Sequence, residues 1–134
     1  MKTLLAIDGG GLFGIGVANW IPKLENFVFD YYAGTSVGSI LAACYVVGME
    51  SKDVQEKFNG ELPWRIFTKP RSINPLRPAV YDDKGAKEVL KEIFGDIRVG
   101  DTKYPLVIVA ISNHRHNRFR QCCLYFLRGW AFVG

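Results

Sequence analysis

The chain has 134 residues and carries 17 Lys+Arg against 13 Asp+Glu, a formal net charge of +4, and its length fits one domain. Hydrophobic residues make up 49% and charged residues 22%, which excludes disorder as the default because there is enough apolar surface to offset the entropy of ordering. No apolar run reaches the roughly 18 residues of a membrane span, Asp8 and the glycines after it cut short a signal-like opening, and three cysteines, two of them adjacent, make no disulfide framework, so a reducing, cytoplasmic setting is expected.

Leu4–Ile7 is a short apolar run closed by Asp8 and a glycine cluster, the pattern of a buried strand entering a tight turn. Val17, Ala18, Ile21 and Leu24 recur at helical spacing and predict a helix after the glycines. Pro22 fits that helix only in a first turn or at a kink. The aromatic and β-branched residues 27–33 predict a second strand, broken by Gly34-Thr35-Ser36-Val37-Gly38. Residues 39–47 predict a buried helix closed by Gly48.

Ser51 is placed to cap a polar helix that runs through Phe58 and ends at Gly60. Residues 62–79 hold four prolines and predict a long loop. Asp82 or Asp83 starts the clearest helix, in which Ala86, Val89, Leu90, Ile93 and Phe94 form an amphipathic stripe ending at Gly95. Pro105 introduces Leu106-Val107-Ile108-Val109-Ala110-Ile111, a continuous apolar run suited to a strand buried on both faces. Strands alternating with helices predict an α/β layer fold with a largely parallel sheet.

The net charge is unevenly placed. Residues 1–112 hold 13 basic and 13 acidic side chains, whereas residues 113–134 hold Arg115, Arg118, Arg120 and Arg128 and no acid. His114, His116, Cys122 and Cys123 fall in the same segment, but their spacing matches no standard zinc pattern and no metal is expected. Arginines interleaved with Phe119, Tyr125 and Trp130 have the look of an RNA or membrane stripe, yet an unselected reading frame looks the same. No nucleic-acid partner is expected.

Two glycine motifs carry the chemistry. Asp8-Gly9-Gly10-Gly11-Leu12-Phe13-Gly14 lies between a predicted strand and helix, where close backbone approach and helix-start N–H groups favour an anion. Gly34-Thr35-Ser36-Val37-Gly38 fits the G-x-S-x-G elbow, a sharp turn that exposes a serine hydroxyl. Two alternatives stand beside this. Ser36 also suits a simple helix cap. Gly9, Gly11 and Gly14, with Asp30 about 20 residues on, also satisfy the fingerprint of a dinucleotide-binding module.

The first 112 residues contain no histidine, so a Ser-His-Asp triad is not available there. Asp-Gly-Gly-Gly-x-x-Gly after a first strand, followed by Gly-Thr-Ser-Val-Gly, resembles the patatin-like phospholipase family over about residues 3–112. Phe29-Asp30-Tyr31-Tyr32-Ala33, Ile40-Leu41-Ala42-Ala43, Tyr81-Asp82 and Phe94-Gly95-Asp96 extend the likeness, as does the apolar run after Pro105. The resemblance implies a three-layer α/β fold around a mainly parallel central sheet, truncated here. It also implies a Ser–Asp dyad that hydrolyses phospholipids or other acyl esters through an acyl-enzyme, with no cofactor. Ser36 would be the nucleophile, and backbone N–H groups of Gly9, Gly10 and Gly11 would form the oxyanion hole.

The sequence departs from that family in three places. No Asp-Gly-Gly or Asp-Gly-Ala follows Ser36, so the dyad aspartate is missing and impaired activity is expected. Phe13 stands where the family usually has a basic residue. The compositional break at Ser112 divides an incomplete hydrolase domain, residues 1–112, from an atypical basic tail, residues 113–134, which reads as frameshifted or disordered. Trp64, Arg65, Ile66, Phe67, Lys69 and Arg71 mix apolar and basic side chains, which suits peripheral contact with a lipid surface or, equally, packing of Trp64 and Phe67 into the core. Cys44 reads as core packing.

Overall fold

The computed structural model describes residues 1–24, 26–67, 83–112 and 121–127. Strand β1 (Leu4–Ile7) leads through a 3-10 turn (Gly11–Phe13) into helix α1 (Gly14–Trp20) and a second 3-10 turn (Ile21–Leu24). Strand β2 (Tyr31–Thr35) and helix α2 (Val37–Val46) follow, then α3 (Ser51–Asn59), α4 (Leu62–Ile66), α5 (Asp83–Phe94), β3 (Leu106–Ser112) and β4 (Gln121–Leu127). The sheet order is β1-β2-β3-β4. The first three strands are parallel and β4 runs antiparallel to β3. This is an α/β fold with a mainly parallel sheet.

Ile7 pairs with Gly34, and Gly34 with Ile108, so the C-terminal ends of β1 and β2 lie side by side. The core joins Ile7, Tyr32 and Leu106 of the sheet to Val37, Leu41, Ala42 and Val46 of α2. Apolar burial of this kind contributes roughly 25 cal/mol per Å2. Leu4 and Tyr31 point the other way and are exposed. Val54 and Phe58 bury one face of α3. Its far end is tied to α1 by a reciprocal amide pair: Asn19 donates to Asn59 at 2.7 Å and Asn59 to Asn19 at 3.0 Å.

Several boundaries differ from the sequence expectations. The second strand begins at Tyr31, not at residue 27, and runs on through Gly34, because that glycine is paired on both sides. Phe27 and Val28 are exposed. Helix α1 ends before Pro22, which occupies the tighter 3-10 turn, since proline lacks the N–H that an α-helix needs there. Glu50 rather than Ser51 takes the cap position of α3, without a side-chain bond. Residues 62–66, expected in a loop, form a helix with Pro63 in its first turn, where a missing N–H costs nothing. The remaining prolines of that segment, Lys69, Arg71, Tyr81 and Asp82 lie outside the described residues.

Gly48 and Gly95 end their helices with φ of 87° and 54°, as the sequence predicts for C-terminal caps. Leu106 and Val107 are buried while Ile108 and Val109 are half-buried, so β3 is less enclosed than its unbroken apolar run implies. Strand β4 lies beyond the compositional break at Ser112, and it pairs with β3 from Ser112↔Gln121 to Leu106↔Leu127. His114, His116 and the four arginines of that segment lie outside the described residues. Among the described residues no helix is long and apolar enough to cross a membrane.

Candidate active site

Parallel pairing of β1 and β2 delivers both glycine motifs to one edge of the sheet, the edge where α/β folds bind ligands. Residues 8–14 leave β1, and residues 34–38 close β2 and open α2. Ser36 sits at the junction with φ 52° and ψ −129°, and among the described residues no other non-glycine has a positive φ. Such a conformation costs about 1–3 kcal/mol and persists only where the surroundings impose it. Here they do. The Ser39 amide donates to the Ser36 carbonyl at 2.9 Å, starting α2 directly behind the serine.

The glycines make this packing feasible. A Cβ on Gly38 would collide with the carbonyl oxygens of Ile7 and Asp8, so the first turn of α2 rests against the end of β1. A Cβ on Gly9 would stand 2.9 Å from Ser36 Cβ and 3.0 Å from the Thr35 carbonyl oxygen. Gly34 faces the Gly38 backbone just as closely, and Gly14 meets Val37. Thr35 is half-buried and Val37 buried on either side of the serine. Gly11 has φ 57°, and the Phe13 amide donates to the Gly10 carbonyl at 3.1 Å, which folds the turn back beside Ser36. Asp8 is exposed at its start.

Ser36 is solvent-exposed, and its side chain makes no capping hydrogen bond. The helix-cap alternative therefore fails: Ser36 holds the cap position of α2, but its hydroxyl makes no bond to the helix. The dinucleotide alternative fails on position. Asp30 lies before β2, at the opposite end of the strands from the glycines, roughly 3.3 Å per residue away along β1. There its carboxylate accepts from the Thr3 amide at 2.8 Å and the Thr3 hydroxyl at 3.1 Å, and pairs with Lys2 at 3.3 Å. The Thr3 amide first, then Lys2, holds the carboxyl below its ordinary range. Asp30 fastens the start of the sheet.

A cavity of about 620 Å3 opens at Ser36 and runs between α2, α5 and β3, a volume in the range of small-molecule sites. Ile40 and Ala43 of α2, Leu90 and Phe94 of α5, and Leu106 and Ile108 of β3 give it apolar walls. No carboxylate or histidine lines it among the described residues. Its α5 wall was not evident from sequence. The stripe of that helix divides in the structure: Val89 is fully buried in the core, Phe94 packs against the core and also lines the cavity, and Leu90 faces the cavity.

The apolar–basic segment also divides. Ile66 is buried, Phe67 stands 3.7 Å from where a Gly11 Cβ would be, and Arg65 pairs with Glu92 at 2.8 Å. Trp64 remains 62% exposed, and Phe13 on the glycine turn 85% exposed, whereas Phe67 packs against the core, so the core-packing alternative holds for Phe67 but not for Trp64. Cys44 is buried in the core, where desolvation pushes its thiol up to about 12.

The sequence pattern described as Patatin-like phospholipase matches residues 5–126. A cGAMP-activated phospholipase of Pseudomonas aeruginosa is 31% identical over 120 residues, covering 81% of this chain and 36% of that protein. Patatin-17 of Solanum cardiophyllum is 30% identical over 130 residues, covering 84% of this chain and 33% of that protein. An intracellular phospholipase A2 of Caenorhabditis elegans is 25% identical over 118 residues, covering 83% of this chain and 10% of that protein. The chain thus spans about a third, or less, of these relatives.

Proposed function

The chain belongs to the patatin-like phospholipase family, and from that premise we propose that it carries the nucleophile and oxyanion portion of a lipid acyl hydrolase. The observation that carries this is Ser36 itself: an exposed serine, held at positive φ with no capping bond, at the mouth of an apolar cavity.

In this mechanism Ser36 Oγ attacks the ester carbonyl, and its proton passes to a base. The carbonyl oxygen becomes an oxyanion, met by the backbone N–H groups of the Gly9–Gly10–Gly11 turn; one such donor typically contributes about 3–4 kcal/mol to the transition state. Collapse expels the alcohol and leaves the acyl group on Ser36, and water then releases the acid. The cavity walls receive the acyl chain. Exposed Phe13 and Trp64 suit contact with a lipid surface, and a cytoplasmic setting suits the free Cys44 thiol.

No base is assigned within these residues. In the family it is an aspartate in Asp-Gly-Gly or Asp-Gly-Ala, and neither follows Ser36 in these 134 residues. Without it no side chain takes the proton as Oγ attacks, and loss of one member of a catalytic set costs orders of magnitude in rate. On this account residues 1–112 are the hydrolase portion, and the chain by itself turns over poorly.

Fluorophosphonate labelling of wild type and Ser36→Ala tests both parts. The expected result is slow labelling confined to Ser36. Rapid labelling abolished by Ser36→Ala would refute the catalytic deficit and leave the nucleophile standing. Label on a different serine would overturn the nucleophile.

A further inference from the structure

Among the described residues one charged side chain, Lys91, lines the cavity at Ser36. Lys91 lies in the last turn of α5 and is exposed at the rim, on the helix that supplies Leu90 and Phe94 to the wall. The neighbouring carboxylates are engaged elsewhere: Glu88 with Lys84 at 3.9 Å and Glu92 with Arg65 at 2.8 Å. Lys91 makes no ion pair among the described residues. An ammonium beside apolar walls fits an amphiphile, with its chain in the cavity and an anionic group at the rim.

We propose that Lys91 is a specificity-determining residue that favours acyl lipids with a net anionic headgroup over zwitterionic ones. This rests on the acyl-hydrolase reading of the cavity. A zwitterionic headgroup carries its own cation beside the phosphate and offsets the pull of Lys91, whereas an anionic headgroup does not. The pair forms at an exposed rim, so its effect is modest and salt-dependent.

Calorimetric binding of monomeric dihexanoyl phosphatidylglycerol and dihexanoyl phosphatidylcholine tests this without requiring turnover. Wild type is expected to prefer the anionic lipid by about fivefold, the upper range for an exposed ion pair. Lys91→Gln and high salt each remove that preference, while Lys87→Gln, on a lysine that does not line the cavity, retains it. Equal binding of both lipids to wild type, or a preference that survives Lys91→Gln, overturns the role of Lys91 and leaves the lipid site standing. Binding of neither lipid overturns the acyl-site reading and the role of Lys91 with it. Displacement of the anionic lipid by equimolar inorganic phosphate would make Lys91 a plain anion site and also overturn the proposal.

Discussion

Gly9 at the end of β1 and Ser36 at the end of β2 approach so closely that a Cβ on the glycine would stand 2.9 Å from the serine Cβ. The residues are 27 positions apart in sequence, and parallel pairing of their strands brings them together. The glycine turn and the serine elbow are therefore one packed unit.

Glycine substitutions are expected to divide by environment. Gly38→Ala drives a methyl group into the Ile7 and Asp8 carbonyl oxygens and should destabilise the fold by about 2–3 kcal/mol, the scale of overpacking. Gly16→Ala, in α1 with no atom within 4 Å of the new Cβ, should stabilise by about 0.5–1 kcal/mol through helix propensity. Urea midpoints of the two variants measure the contrast. Equal effects would mean that Gly38 is not held where the structure places it.

Ser36→Gly should raise stability by about 1 kcal/mol, because glycine adopts positive φ without the steric cost borne by serine. The same change removes the hydroxyl and all fluorophosphonate labelling at this position. A variant less stable than wild type in thermal unfolding would contradict the strained elbow.

Asp30 predicts an acid-sensitive fold. Its carboxyl is held below the ordinary 3.8, first by the Thr3 amide and then by Lys2, so the unfolded chain takes up this proton before the folded one does. The contribution is present above about pH 4 and is lost as pH falls through the folded value. Asp30→Ala should lower stability at neutral pH and flatten its decline on acidification. Urea unfolding at several pH values from about 6 to 3 measures this; parallel curves for variant and wild type would exclude the effect.

Cys44 should resist alkylation in the folded protein. Burial raises its thiol to about 12, which leaves almost no thiolate at neutral pH and no path for the reagent. Iodoacetamide followed by peptide mapping should show Cys44 unmodified in buffer and modified in denaturant. Fast native labelling of its peptide would contradict the burial.

Much of the site was legible because its chemistry is local. Residues 8–14 and 34–38 each hold a contiguous glycine pattern, and a tight turn beside a serine demands glycine whatever the rest of the chain does. Gly48 and Gly95 announced the ends of α2 and α5 for the same reason. Strand β1 and the helical period of α5 were likewise written in consecutive side chains. Residues 27–29 misled because their β-forming side chains speak for a strand, while only pairing decides where a strand starts, and the Thr3–Asp30 bonds set that point.

By itself, then, the sequence determined the two motifs, their order and the α/β class. Tertiary structure decided what those residues do to one another. Strand register placed Gly9 against Ser36 and sent Asp30 to the far end of the sheet, which separated the hydrolase reading from the dinucleotide one. Packing of α5 divided a single apolar stripe between core and cavity and left Lys91 on the rim. Periodicity records which face of a helix is apolar, but the surface that face meets depends on contacts between residues distant in the chain.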